Sequence, residues 1–263
     1  MASIAALKAA LPRRYRLAGR LAFLRFAAVA NAGSGVECPC CGRHFRKFAR
    51  FYGLNDQCPG CGSLMRHRAI LLYLRDVMGL DSSGGSILHV APEPALGRWL
   101  SSIESAEYVS VDLDSPLADI HADITQLPFD ADSFDLIVCA HVLEHVQEDR
   151  RAIDELFRTL RPGGTAVVQV PIHPVPETIE DLSVKAPGER QRVFGQWDHV
   201  RICGPEYGDR LEAAGFEVEL EDYVEQLDEA TRAGLGLRTG EPFYVCSKRA
   251  EAAAATWSRR GHG

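Results

Sequence analysis

A chain of 263 residues, 46% hydrophobic and 25% charged, has the make-up of an ordinary soluble globular protein with room for one full-sized domain and a smaller module. Its longest apolar run near the start, 21–30, is too short for a transmembrane helix and is broken by Arg25, which excludes a membrane span there. The net charge of −7 is unevenly spread: residues 1–75 carry 13 Lys+Arg against 2 Asp+Glu, and the remainder 16 against 34, so the two parts should differ in what they touch.

Residues 1–35 are expected to form a basic amphipathic helix and a linker. Over 3–30, Leu, Phe and Ala are interleaved with Arg13, Arg14, Arg16, Arg20 and Arg25, and Pro12 breaks the helix or starts its second half. An apolar body with an arginine fringe suits a helix lying on an anionic membrane surface or along a phosphate backbone; a packing arm with solvated arginines is the plainer alternative. Residues 31–35 are a Gly/Ser linker. Residues 1–10 lack the arrangement of a cleavable signal peptide. A cytoplasmic location, with peripheral membrane contact left open, is the expectation.

Residues 36–62 carry the strongest short-range signal. Cys38 and Cys41 form one C-P-x-C-G knuckle, Cys58 and Cys61 another, and sixteen residues separate the two. The glycine in each knuckle lets the backbone turn so that N–H groups point at thiolate sulfur, and two such hairpins can set four thiolates around Zn²⁺. A closed four-thiolate set implies a structural zinc, and a thiol-redox role is the alternative. A module this short buries little apolar surface, so metal binding, on the order of 10 kcal/mol in comparable peptides, would supply its folding energy. Cys40 is the spare cysteine. Between the knuckles, Arg43, His44, Arg46, Lys47 and Arg50 alternate with Phe45, Phe48, Phe51 and Tyr52, a set that would stack bases beside phosphates or else fill the ribbon's own core. Residues 63–80 read as a connecting helix ended by Gly79.

Residues 81–249 alternate strand and helix signals. The apolar runs 87–91, 108–111 and 136–140 are spaced for buried parallel strands with crossovers, an α/β arrangement. Asp112 closes the second run, where a carboxylate can accept hydrogen bonds from a ribose diol, and Asp123 lies beside the expected C-terminal edge of the sheet.

From 111 onward the chain reads VDLD, then LPF at 127–129, SFD at 133–135, LEH at 143–145 and LRPGG at 160–164. In this order the motifs resemble the class I S-adenosylmethionine-dependent methyltransferases, over roughly residues 86–247. The resemblance implies a Rossmann-like seven-stranded sheet with one antiparallel strand, and S-adenosylmethionine as cofactor. It also implies that Asp112 and Leu113 meet the ribose, Asp123 and Ile124 frame the adenine, and the backbone at His141 contacts the cofactor. The first loop departs from the family's Asp-x-Gly-x-Gly-x-Gly: it reads HVAPEPA over 89–95, with Ala91, Glu93 and Ala95 where glycines are expected and prolines at 92 and 94 that remove two N–H donors. Ala91 and Glu93 are still assigned to the cofactor, Glu93 to its ammonium group.

A helix is expected to start just after residue 140, placing His141, Glu144 and His145 on one face. With His173 they could hold a second divalent metal against the acceptor, or simply serve packing. Residues 173–201 read as long and irregular, a lid or substrate loop. It ends in Asp198-His199, a candidate general-base pair, and Arg201, a candidate anion binder, unless these only pin the loop. The candidate catalytic residues are thus His199, His145 and His141. A helix over 149–160, a strand over 165–171, a helix over 204–214, a final hairpin of strands 216–223 and 243–247, and a tail over 250–263 complete the chain. The expected function is methylation of oxygen or nitrogen on a metabolite or glycan-type small-molecule acceptor, since 172–201 is not basic. The alternatives are an RNA methyltransferase docking through ribbon and arm, and a non-catalytic binding or scaffold protein on a decayed fold.

Overall fold

Aliphatic and β-branched runs that bury both faces cannot sit at a surface, and here they become the middle of a sheet. The computed structural model describes residues 24, 26–51 and 54–250. Most of the expected N-terminal helix, Tyr52 and all of the tail except Ala250 lie outside these residues. Strands β1 (Ala32–Cys38) and β2 (Arg43–Phe45) pair antiparallel, as do β3 (Ala49–Phe51) and β4 (Leu54–Gln57). One cysteine knuckle joins β1 to β2 and the other follows β4, with Gly42 and Gly62 at φ +64° and +77°. Helix α1 (Met65–Leu72) continues as a π turn, Tyr73–Val77, and stops at Gly79 (φ +63°).

The chain then runs through α2 (Leu80–Ser83), β5 (Gly85–Val90), α3 (Pro94–Leu100), β6 (Ala106–Asp112), β7 (Ile120–His121), β8 (Phe134–Ala140), α4 (Asp149–Thr159) and β9 (Leu160–Gln169). It continues as β10 (Ile179–Glu180), α5 (Pro187–Phe194), β11 (Arg201–Ile202), α6 (Gly208–Ala213), β12 (Glu217–Glu221), α7 (Glu229–Leu235) and β13 (Phe243–Ser247). Seven strands form one sheet in the order β12-β13-β9-β8-β5-β6-β7, with β13 antiparallel to both neighbours and β5 through β9 parallel. This is the expected seven-stranded mixed α/β sheet. The stretch 173–201, expected to be irregular, instead holds α5 and the paired strands β10 and β11.

Successive residues of a strand face opposite sides, so the sheet has two cores. Leu88, Ile137 and Val168 pack against Ile153 and Leu156 of α4 and Leu211 of α6 on one side. Ile87, Leu136 and Val138 pack on the other with α1, α3 and, in the same cluster, Phe45, Phe48 and the knuckle cysteines. Phe45 and Phe48 are each 2% exposed, which corrects the base-stacking alternative for these two rings: they fill the core.

Buried Arg68 on α1 fastens this side. It donates to the carbonyls of Ser63 (3.1 Å), Leu235 (3.0 Å) and Gly236 (2.7 Å), and its guanidinium lies 4.1 Å over the Phe48 ring. Gly236 has φ +61°, and a Cβ there would run into that ring, so both the turn and the close approach require glycine. Among the described residues no helix is long and apolar enough to cross a membrane. Replacing Arg68 by Met keeps the stem but takes the donor from the Leu235 and Gly236 carbonyls and one of two donors from Ser63 O, which also accepts from the Cys58 N–H; stability to urea should fall by about 2–4 kcal/mol, and Arg68→Lys should recover only a minor part of it.

Candidate functional site

Parallel sheets bind ligands in the crevice beyond their carboxyl edge, where neighbouring loops diverge. Here β5 and β8 both end in a non-glycine residue of left-handed conformation, Ala91 (φ +51°) and His141 (φ +54°). Such a conformation costs about 1–2 kcal/mol for an L residue. Each residue still extends the sheet by one bond: the Ala91 N–H donates to Val111 O and the His141 N–H to Gln169 O, both at 2.8 Å. The chains then turn sharply away and leave a cavity of about 570 Å³. The family's glycine at position 91 thus has a visible reason.

The cavity is lined by Ala91, Asp112, Leu113, Asp123, Ile124 and His141 from the strand ends and the turns after them, and by His145, Arg190, Trp197 and Asp198 from later in the chain. The two acids are held by their own turns. Asp112 Oδ1 accepts from the N–H groups of Asp114 (2.9 Å) and Ser115 (2.7 Å), and Asp123 Oδ1 accepts from the N–H and hydroxyl of Thr125, both at 2.8 Å. Neither carboxylate needs to reorganise on meeting a ligand.

Glu93 departs from its expected place. It is absent from the cavity wall; its carboxylate points inward, with Oε2 3.1 Å from His89 Nε2 and Oε1 3.1 Å from His67 Nε2 on α1. His89 Nδ1 meets Tyr108 Oη at 3.1 Å, and His67 Nδ1 accepts the Leu64 N–H at 3.2 Å. The cause is strand alternation: β5 aims His89 at the α1 side of the sheet, and Glu93, four residues on, reaches back to it. Burial pushes the Glu93 carboxyl up, but the His67 imidazole against it and the bond from His89 outweigh this and hold the group well below the usual carboxylate range. Burial pushes His67 down, in keeping with the bare Nδ1 that the Leu64 N–H requires.

The helix expected after β8 does not form; 141–148 is a run of turns. The side chains nonetheless converge. His141 Nδ1 lies 3.0 Å from Oε1 of fully buried Glu144, whose carboxyl burial would raise but whose bond to His141, with the charges of His141 and His145, lowers further. Asp198 does not pair with its neighbour His199, as expected, but with His145: Nδ1 stands 3.4 Å from Asp198 O and 3.6 Å from Oδ2. The His199 ring packs edge-on against His145, 4.7 Å between centroids, and burial followed by the His145 charge lowers its pKa. His199 thus backs His145 rather than lining the cavity. The second metal set is corrected accordingly: Glu144, His145 and His199 bring ligand atoms within 4.8 Å of one another, whereas His141 is not part of that group and His173 is exposed elsewhere.

Arg201, expected to bind an anion, is buried and structural. It donates to the carbonyls of Leu143, Val146 (2.6 Å) and Gln147 (3.1 Å) and pairs with Glu180 (3.1 Å) and Asp149 (3.4 Å). Arg190 and Trp197, which sequence reasoning did not select, reach the cavity only because α5 folds over it, and no local pattern marks them. In the cysteine module, the four knuckle sulfurs all lie within 4.8 Å of one another, with Cys38–Cys61 at 3.7 Å and Cys41–Cys58 at 3.8 Å. A regular tetrahedron of sulfurs about 2.3 Å from zinc has edges of about 3.8 Å. The N–H groups of Gly60 and Cys61 point at Cys58 Sγ from 3.3 and 3.5 Å. The cluster is compatible with zinc; Cys40 lies outside it.

Residues 58–168 match the model of a family described as a methyltransferase domain. The chain is 27% identical over 201 residues to a probable S-adenosylmethionine-dependent methyltransferase of Mycolicibacterium smegmatis, covering 76% of this chain and 66% of that one. It is 44% identical over 70 residues to a demethylmenaquinone methyltransferase of Clavibacter sepedonicus, 26% of this chain and 29% of that one. The chain therefore spans just under two thirds of the first relative's length and less than a third of the second's. The solved structure of the cyclase SpnF superimposes with a TM-score of 0.51 at 18% identity, over 89% of this chain and 96% of that one, a likeness of fold alone. The matched family and the first relative are both described as methyltransferases.

His67 and His199 both titrate below the ordinary 6.5 when folded, so on acidification the unfolded chain takes up protons first. Stability should therefore be full above about pH 6.5 and decline below it, with a limiting slope of about 1.4 kcal/mol per pH unit for each group. Glu93 acts in the same direction lower down, its contribution present above its ordinary 4.5 and lost as pH falls further. Urea titrations at fixed pH values should show His67→Gln flattening the first part of this fall.

Proposed function

We propose that the chain methylates an oxygen or nitrogen of a small-molecule acceptor, using S-adenosylmethionine bound in the cavity beyond β5, β6 and β8. The observation that carries this reading is the pair of fixed carboxylates, Asp112 and Asp123, on one wall of a single hollow. When bound, S-adenosylmethionine supplies an electrophilic methyl group on a sulfonium. Asp112, at the end of β6, suits the ribose diol, with Leu113 beside it; Asp123 and Ile124 suit the adenine edge and face.

The acceptor would enter from the α5 side. Trp197 and Val146 supply apolar surface there, which excludes water and holds the nucleophile in line. Loss of the acceptor's proton falls to His145. Asp198 keeps the imidazole proton on Nδ1 and leaves Nε2 with a lone pair, the tautomer a general base requires. His141, tied to Glu144, is the second polar group at this end, and neutral His199 steadies the His145 ring without adding charge. In a small-molecule reading Arg190 is the cation available to an anionic substituent of the acceptor.

The four cysteines would hold a structural zinc. Their closed thiolate set leaves no coordination position for a substrate, and the ion would brace the hairpins below the sheet. Metal analysis should return one zinc per chain, and a strong chelator should lower the thermal midpoint.

Calorimetry with S-adenosylhomocysteine tests the cofactor assignment: Asp112→Ala should weaken binding at least tenfold, about 1.4 kcal/mol, and a wild-type chain with no measurable binding would overturn it. With an acceptor in hand, His145→Ala should lower kcat by about 10²–10³ and remove the basic dependence of the rate, while the cofactor KM stays near that of the wild type.

A further inference from the structure

The loop joining β5 to α3 must hold a left-handed Ala91 at the edge of the cofactor cavity without the glycines that usually make such a turn easy. Two anchors fix it. One is the Ala91 N–H bond to Val111 O. The other begins two residues later, across rigid Pro92, at Glu93. That residue is the N-cap of α3, yet its side chain makes no capping bond and turns into the protein.

There the carboxylate sits between His67 and His89, with 17% of its side chain exposed and His89 not exposed at all. His67 stands one turn along the helix that leaves the cysteine module. Its Nδ1 takes the Leu64 N–H, and the adjacent Ser63 hydroxyl lies 3.2 Å from Cys38 Sγ. A continuous line of polar contacts thus runs from a knuckle sulfur to the cofactor loop.

We infer that Glu93, gripped by His67 from α1 and His89 from β5, is a positioning residue that holds the Ala91 turn open for the cofactor in place of a glycine-rich loop. A carboxylate this enclosed, with imidazole on either side, has few other places to go, and the prolines at 92 and 94 carry its fixed position to the turn. The inference rests on the methyltransferase reading for the identity of the ligand, not for the mechanics of the loop.

The two parts separate by experiment on the full chain. Hydrogen exchange reports the loop without any ligand. Glu93→Ala, and independently His67→Ala, should speed exchange of the Ala91 amide, bonded to Val111 O, and of the Gly97 amide, bonded to Glu93 O, at least tenfold while 165–169 in β9 stays protected. Glu93→Gln should restore most of the protection: its carbonyl can accept from His67, and its amide can donate to the other tautomer of His89. The same order should appear in S-adenosylhomocysteine affinity by calorimetry, with at least a tenfold loss for the alanine variants and recovery for Gln. Unchanged exchange at Ala91 and Gly97 in the alanine variants, or equal loss of protection in β9, would overturn the inference. A wild-type chain that does not bind S-adenosylhomocysteine would sink the cofactor assignment, and the exchange pattern would still decide the fate of the clamp.

Discussion

A parallel sheet exposes no tolerable face, and that constraint shapes the molecule. β5 and β8 are apolar on both sides, so each side needs a cover. α4 and α6 cover one. The other is covered by α1, α3 and the cysteine module together, with Phe45 and Phe48 in the same cluster as Ile87 and Val138. The module is therefore part of the lid of a core, not an appendage on a tether. Its basic residues decorate a piece whose Phe45 and Phe48 rings are already committed inward, and Arg68 makes the junction specific by reading three backbone carbonyls at fixed positions.

The residues lining the cavity are placed by two different means. Asp112 and Asp123 project from strand ends and are locked by turns only two or three residues long, so their placement is decided locally. His145, Arg190, Trp197 and Asp198 come from loops and from α5, and their placement depends on long-range closure.

This division also explains what the sequence could reveal. The runs around Ile87, Val109 and Val138 announce strands because burial on both faces leaves a continuous apolar signature, and Asp112 is legible as the acid at a strand end. β7 is two residues long, too short to leave any signature. The spacing of His141, Glu144 and His145 imitates a helix face, yet the left-handed conformation of His141 breaks the helix before it starts. Glu93 looked like a ligand to the cofactor because one of its two partners stands far off in the chain: His67 belongs to a different element, and nothing near Glu93 foretells it. Arg201 resembled an anion binder for the same reason, its five partners being assembled only by the fold. Turn chemistry and strand burial are local and readable; polar pairing across elements is not.

The short ladder between β10 and β11 gives the segment above the cavity an unusual form. Ile179 pairs with Ile202 and Glu180 with Arg201, so the intervening chain leaves and returns through a single narrow neck. Arg201 rivets that neck to the turn carrying His145. Arg190 and Trp197, both inside the loop so closed, line the hollow, whereas His145 stands on the turn to which the neck is fastened.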